Sequence, residues 1–151
     1  YLTSRYSERI WLDMEKVIAD TGFIVALVNT QDIHHGKVVE VYLQQQVILL
    51  PQTVFAEVAY LIGRDSGIAT LVQFMRGIPE SKFEIIALAD QDFLRTAEIL
   101  DQYQDSRIDF VDATVMAIAE RQKIEMILTI DKRDFSLFRP KHCKNFLLLP
   151  E

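Results

Sequence analysis

The amino-acid sequence predicts a three-layer α/β/α domain built on a five-stranded parallel sheet. Three observations carry that prediction. Short runs are almost continuously apolar, as in strands covered on both faces. Segments of helical period separate them. The gaps between runs exceed the roughly dozen residues that a parallel crossover needs. Right-handed crossovers then place helices over both faces of the sheet.

The elements follow in order. Residues 16–20 hold the first strand, ended by Thr21-Gly22. Residues 23–28 form a short helix, and 34–45 show helical spacing through Val38, Val41 and Tyr42. Residues 47–50 are a second buried strand stopped by Pro51, which is well placed to open a helix over 52–62. A further helix over 67–76 ends at Gly77 and Pro79. Residues 83–88 are the third strand, and Asp90 is expected to cap a helix running to residue 103. Residues 109–122 are the strongest helix, 125–130 the fourth strand and 146–149 the fifth.

Composition narrows the class. A chain of 151 residues, half of them apolar, can bury one real core. Five Gly and four Pro are too few for a disordered or loop-rich chain. A lone cysteine, Cys143, excludes an intramolecular disulfide framework, and no Cys/His cluster offers a zinc site. The apolar runs are far too short to span a bilayer, and the opening residues do not read as a secretory leader. The expectation is a cytoplasmic protein. Residues 1–13 are polar and lack strand-like alternation, so they read as an extension upstream of a single domain over 14–151, with Met14 a natural start. A short docked helix is the alternative. Net charge is −6, yet residues 121–144 carry seven Lys/Arg against three acids. Surface scatter explains that basic segment as readily as a polyanion ligand does.

Several acids stand where a core is expected. In an open parallel sheet, ligands bind beyond the C-terminal strand ends, where strand order reverses. Asp20 ends the first strand and Asp131 follows the fourth, which puts both at one rim; each serves equally well as a helix cap. Glu57 is the only charge in VFAEVAYLI, and a carboxylate buried there would need a partner, a metal or a proton unless it reaches solvent. Asp112 sits in the apolar run FVDATVMAIA, with Asp109 three residues earlier on the same side of the first turn. Capping and the helix dipole also favour acids there. Together Asp20, Glu57, Asp109, Asp112 and Asp131 form a candidate acidic cluster. Oxygen donors without Cys or His suit Mg²⁺ or Mn²⁺. Such ions serve phosphodiester hydrolysis, because they bind phosphate oxygens and activate water. Thr21 and Thr129 lie beside the strand-end acids, where their hydroxyls can orient a carboxylate or a water; β-branched residues also simply suit strands.

The ordered set VIADTG, FAEVAYLI, DFVDATVMAIAER and ILTIDKRDF, spread over residues 14–149, resembles a PIN domain. It is most similar to the short PIN ribonucleases that serve as toxins in VapBC-type toxin–antitoxin pairs. The resemblance implies strand order 3-2-1-4-5, so that Asp20 and Asp131 face each other. It implies an Mg²⁺- or Mn²⁺-dependent endoribonuclease with Asp20, Glu57, Asp112 and Asp131 as catalytic and metal-binding acids, and Asp109 as an auxiliary ligand. It also implies an RNA substrate, a small antitoxin partner and a homodimer. Lys132, Arg133 and Arg121, with Arg139, Lys141 and Lys144, are candidates for RNA phosphate contacts.

Rival readings fare less well. Asp20-Thr21-Gly22 echoes an aspartic-protease signature, which needs an all-β chain. A haloacid-dehalogenase-type phosphatase needs a second Asp where Gly22 stands. No Gly-rich phosphate loop follows the first strand. A PIN-like binding scaffold with little nuclease activity, or a housekeeping RNA-processing nuclease without an antitoxin, stays open. His34-His35 reads as a surface pair, since adjacent helical residues diverge, and Cys143 has no nucleophile's setting.

Overall fold

A computed structural model describes residues 16–151; the extension expected over residues 1–13 lies outside the described residues. Five strands build the sheet: β1 (Val17–Ala19), β2 (Ile48–Pro51), β3 (Phe83–Ile86), β4 (Met126–Leu128) and β5 (Leu147–Leu149). Every pairing is parallel and the order is β3-β2-β1-β4-β5. Ile18 of the central strand lies opposite Leu49 on one side and Ile127 on the other. β1 and β2 are buried throughout, whereas the edge strand β3 exposes Glu84 and Ile85. That gradient explains why the central strands read as uninterrupted apolar runs.

Helices fill the crossovers. α1 (Thr21–Val28) and α2 (His35–Gln44) join β1 to β2, and α3 (Gln52–Ser66) and α4 (Ile68–Gly77) join β2 to β3. α5 (Asp90–Gln102) and α6 (Phe110–Gln122) lead back to β4, and α7 (Lys132–Leu137) leads to β5. α6 buries every residue from Ala113 to Ala119, so it is a core helix packed on all sides. Its small residues, Ala113, Ala117 and Ala119, permit that close approach. Gly67 takes φ +91 at the corner between α3 and α4, a conformation that side chains resist.

Four details depart from expectation. α1 starts at Thr21 rather than residue 23, because burial of Thr21, Phe23 and Ile24 outweighs the poor helix propensity of Gly22. β4 ends at Leu128 rather than residue 130, although the Thr129 N–H still donates to the Leu149 carbonyl at 2.8 Å. Asp90 lies inside the first turn of α5 instead of capping it; the Asp92 carboxylate accepts from the Ala89 N–H at 2.8 Å and does that work. The sequence reading found no helix at α7, a short, charged segment whose buried residues are Asp134 and Phe135.

Candidate active site

Asp20 lies one residue past β1. Its N–H donates to the Leu128 carbonyl at 2.9 Å, which extends the β1–β4 ladder into the crevice where strand order reverses. The residue is only 7% exposed. Thr129 Oγ1 donates to Asp20 Oδ2 at 3.1 Å and lies equally far from the Asp131 carbonyl. Burial pushes the Asp20 carboxyl up to about 6, against the pull of the Thr21 backbone and the Thr129 hydroxyl; the charges of Glu57 and Asp109 add to the rise.

Asp109 and Asp112 cap α6 reciprocally. Asp109 Oδ1 accepts from the Asp112 N–H at 2.9 Å, and Asp112 Oδ2 accepts from the Asp109 N–H at 3.3 Å. The capping role is therefore real, and it leaves the electrostatic conflict in place. Burial pushes Asp112 up to about 8, with the charges of Asp20 and Asp109 adding to the effect.

Glu57 is half-buried on α3 and has neither a hydrogen bond nor an ion pair among the described residues. One turn earlier, Thr53 bonds the Thr114 hydroxyl at 2.7 Å, and Thr114 donates to the Val111 carbonyl. This link ties the helix that carries Glu57 to the helix that carries Asp112. Thr21 Oγ1 is buried without a partner beside Asp20.

Burial and mutual repulsion raise both carboxyls, a cost that a cation bound between them would relieve. The donors are all oxygen, which suits Mg²⁺ or Mn²⁺. Among the described residues no three His, Cys, Asp or Glu side chains are gathered closely enough to form a ready metal cage. Mg²⁺ does not require one: it keeps several waters and takes one or two carboxylates plus substrate phosphate. Asp20, Asp112 and the orphan Thr21 hydroxyl fit a hydrated ion of that kind.

A PIN domain profile matches residues 17–139. The chain belongs to the PIN-domain family. Ribonuclease VapC26 of Mycobacterium tuberculosis is 27% identical over 135 residues, covering 89% of this chain and all of that protein. Among solved structures, the sarcin–ricin loop cleaving toxin VapC20 of Mycobacterium tuberculosis superposes with a TM-score of 0.74 at 24% identity, over 85% of this chain and 98% of that one. VapBC2 from Rickettsia felis, bound to a promoter DNA fragment, gives 0.62 at 17% identity, over 88% and 96% of the two chains.

Within this PIN domain the remaining candidates divide. Asp131 is exposed at the rim and its carboxylate caps α7 by accepting from the Arg133 N–H at 3.3 Å. Lys132 and Arg133 follow on α7 and form no ion pair among the described residues. Arg121 sits at the far end of α6, where its guanidinium bonds Asp92 at 2.9 Å, and the Asp92 side chain is 1% exposed. That pair gives Arg121 a structural partner about two and a half turns of helix from Asp112. Arg139 bonds the Ser136 carbonyl, and the Lys141 N–H donates to Glu120. His35 holds the Ala26 carbonyl through Nδ1, and burial raises the Cys143 thiol above its ordinary range. Sequence reasoning missed Asp134, a buried carboxyl raised by burial and by the charge of Asp131. Its signal was a second acid three residues after Asp131 in a segment with no periodicity to read. It also missed Arg107, which lies within reach of Asp134's field.

Proposed function

We propose that this chain is a divalent-metal-dependent endoribonuclease that acts as the toxin of a toxin–antitoxin pair. The observation that carries the reading is Asp20 at the sheet's switch point with Asp112 in its field, both carboxyls raised above the usual range by burial and neighbouring acids. The names of its relatives, a ribonuclease and a sarcin–ricin loop cleaving toxin, support the same reading. Asp20 and Asp112 would hold Mg²⁺ or Mn²⁺, with Asp131 and Asp109 completing the acidic rim. A bound ion would polarise the phosphate and supply an activated water. Thr129 positions Asp20, and the capping box fixes Asp112 on its helix. Glu57, without a hydrogen bond or ion pair among the described residues, would accept a proton or orient a water. Lys132 and Arg133 would receive the RNA backbone. Exposed Tyr60, Ile68, Val72 and Met75 on α3 and α4 offer an apolar surface to an antitoxin or a second copy of the chain.

The test is cleavage of structured RNAs by purified protein in Mn²⁺ and in EDTA. Asp20→Asn and Asp112→Asn should each lose more than about a hundredfold in rate, beyond the loss typical of groups that only support a metal ligand. Full activity in either variant removes that residue from the mechanism. Expression without a neighbouring antitoxin should arrest growth; unimpeded growth with cleavage intact would point to a housekeeping nuclease.

A further inference from the structure

A cavity of about 440 Å³ opens between the end of α5, the loop that follows it and α7. Tyr103, Asp105, Arg107, Arg133, Asp134 and Leu137 are among the residues that line it. The volume is in the range of small-molecule sites. It adjoins the acidic rim, because Arg133, which lines it, donates its N–H to the Asp131 carboxylate at 3.3 Å. Asp134 is buried, and its carboxyl has no hydrogen-bond partner among the described residues. Arg107 and Arg133 form no ion pair among the described residues, whereas Arg95 and Arg121 are committed to Glu120 and Asp92.

The chemistry of the lining is specific. A site for a bare anion would carry an excess of cationic donors. Here two arginines and two aspartates line the cavity together with an aromatic residue and a leucine. The matching ligand has an anionic group, a flat apolar body and an edge rich in N–H donors. A guanine nucleotide has all three: its ring N–H and exocyclic amino group lie side by side and match the two oxygens of one carboxylate. Uracil offers a single N–H between two carbonyls. Bases in single strands are commonly read this way, by stacking and by hydrogen bonds along one edge.

We propose that this cavity seats a guanine next to the scissile phosphate, with Asp134 reading its donor edge and Arg107 and Arg133 holding its phosphate. Asp134 is then a specificity-determining residue for the cleavage position. The assignment rests on the nuclease reading above, so its test uses binding as well as cleavage. GMP, CMP and UMP are titrated into the metal-free protein by NMR. GMP should bind about tenfold more tightly than UMP, the scale of one well-made base-edge contact. Asp134→Asn should erase that preference, and Arg107→Gln should weaken all three nucleotides alike. Equal binding of GMP and UMP by the unmodified protein overturns the proposal even if the Asp134 variant fails to fold. Metal-dependent RNA cleavage without a guanine preference overturns the pocket and leaves the nuclease. A guanine preference in a protein that cuts no RNA overturns the nuclease reading, and with it the pocket's place beside a scissile bond.

Discussion

Thr129 has one hydroxyl proton and two acceptors within reach, the Asp20 carboxylate and the Asp131 carbonyl. Its bond to Asp20 lowers the pKa of an acid that burial raises, so it favours the ionised form that a cation would need. Thr129→Val keeps the shape and removes the donor. The expected result is a loss of about 10–100-fold in cleavage, as for other groups that support a metal ligand. The acid limb of the pH–rate profile should also move to higher pH, since Asp20 loses a group that holds it ionised. An unchanged acid limb would show that Thr129 does not act through Asp20. Glu57 is legible from sequence for a simple reason, being one charge in an apolar helical run. The role of Thr129 was harder to assign, because a threonine near a strand end is ordinary until its acceptor is known.

Helix α6 joins two kinds of work in one element. Its first turn carries the Asp109–Asp112 capping box, and its last turn is bound to α5. Arg95 meets Glu120 at 2.6 Å, and Arg121 meets Asp92, itself the carboxylate that receives the Ala89 N–H. The start of α5 therefore lies against the end of α6, and the pairs hold the two antiparallel. Arg121→Met would leave Asp92 charged and buried without its cation. The expected loss of stability is about 3 kcal/mol, measured by urea denaturation. Cleavage per folded molecule should remain near normal. A variant that is stable but poor in RNA binding would restore Arg121 to the RNA interface. Position along the helix separates this arginine from Arg133, although the two share a basic segment in sequence.

Across the whole molecule, the acidic rim makes stability depend on pH. Asp20 and Asp112 have folded pKa values of about 6 and about 8 against an ordinary 3.8. The folded state therefore binds protons that the unfolded chain releases. Stability of the metal-free protein is highest at the acid end of that window and falls as pH rises through it toward 8. Thermal melts in EDTA should show that decline, and Mn²⁺ should reverse it by binding the folded state alone. Asp112→Asn keeps an oxygen for the Asp109 N–H and removes the charge. It should raise the metal-free Tm at pH 8 by about 2–4 °C for each kcal/mol of repulsion relieved. A lower Tm would show that the carboxylate's capping bond outweighs the repulsion. The same linkage could not be derived from composition, because it requires acids distant in sequence to share one rim.

The sequence by itself determined the number of strands, the buried character of the central ones and every helix between them except the short α7. These follow from local periodicity, and a parallel sheet leaves few ways to connect such runs. It also singled out Asp20, Glu57 and Asp112, since a charge in an apolar run is visible without any fold. Strand order came from the likeness of the ordered motifs to a PIN domain, and the sheet has that order. Only the tertiary structure decided which cations are paired. Arg121 and Arg133 look alike in sequence, yet one is paired with a carboxylate 29 residues away and the other lines a cavity. Asp92 and Asp134 are likewise both buried acids, one with a cation bound to it and one without a hydrogen bond among the described residues. Periodicity reports which face of an element is buried. Charge pairing depends on what the other elements bring to that face, and only the folded chain contains that information.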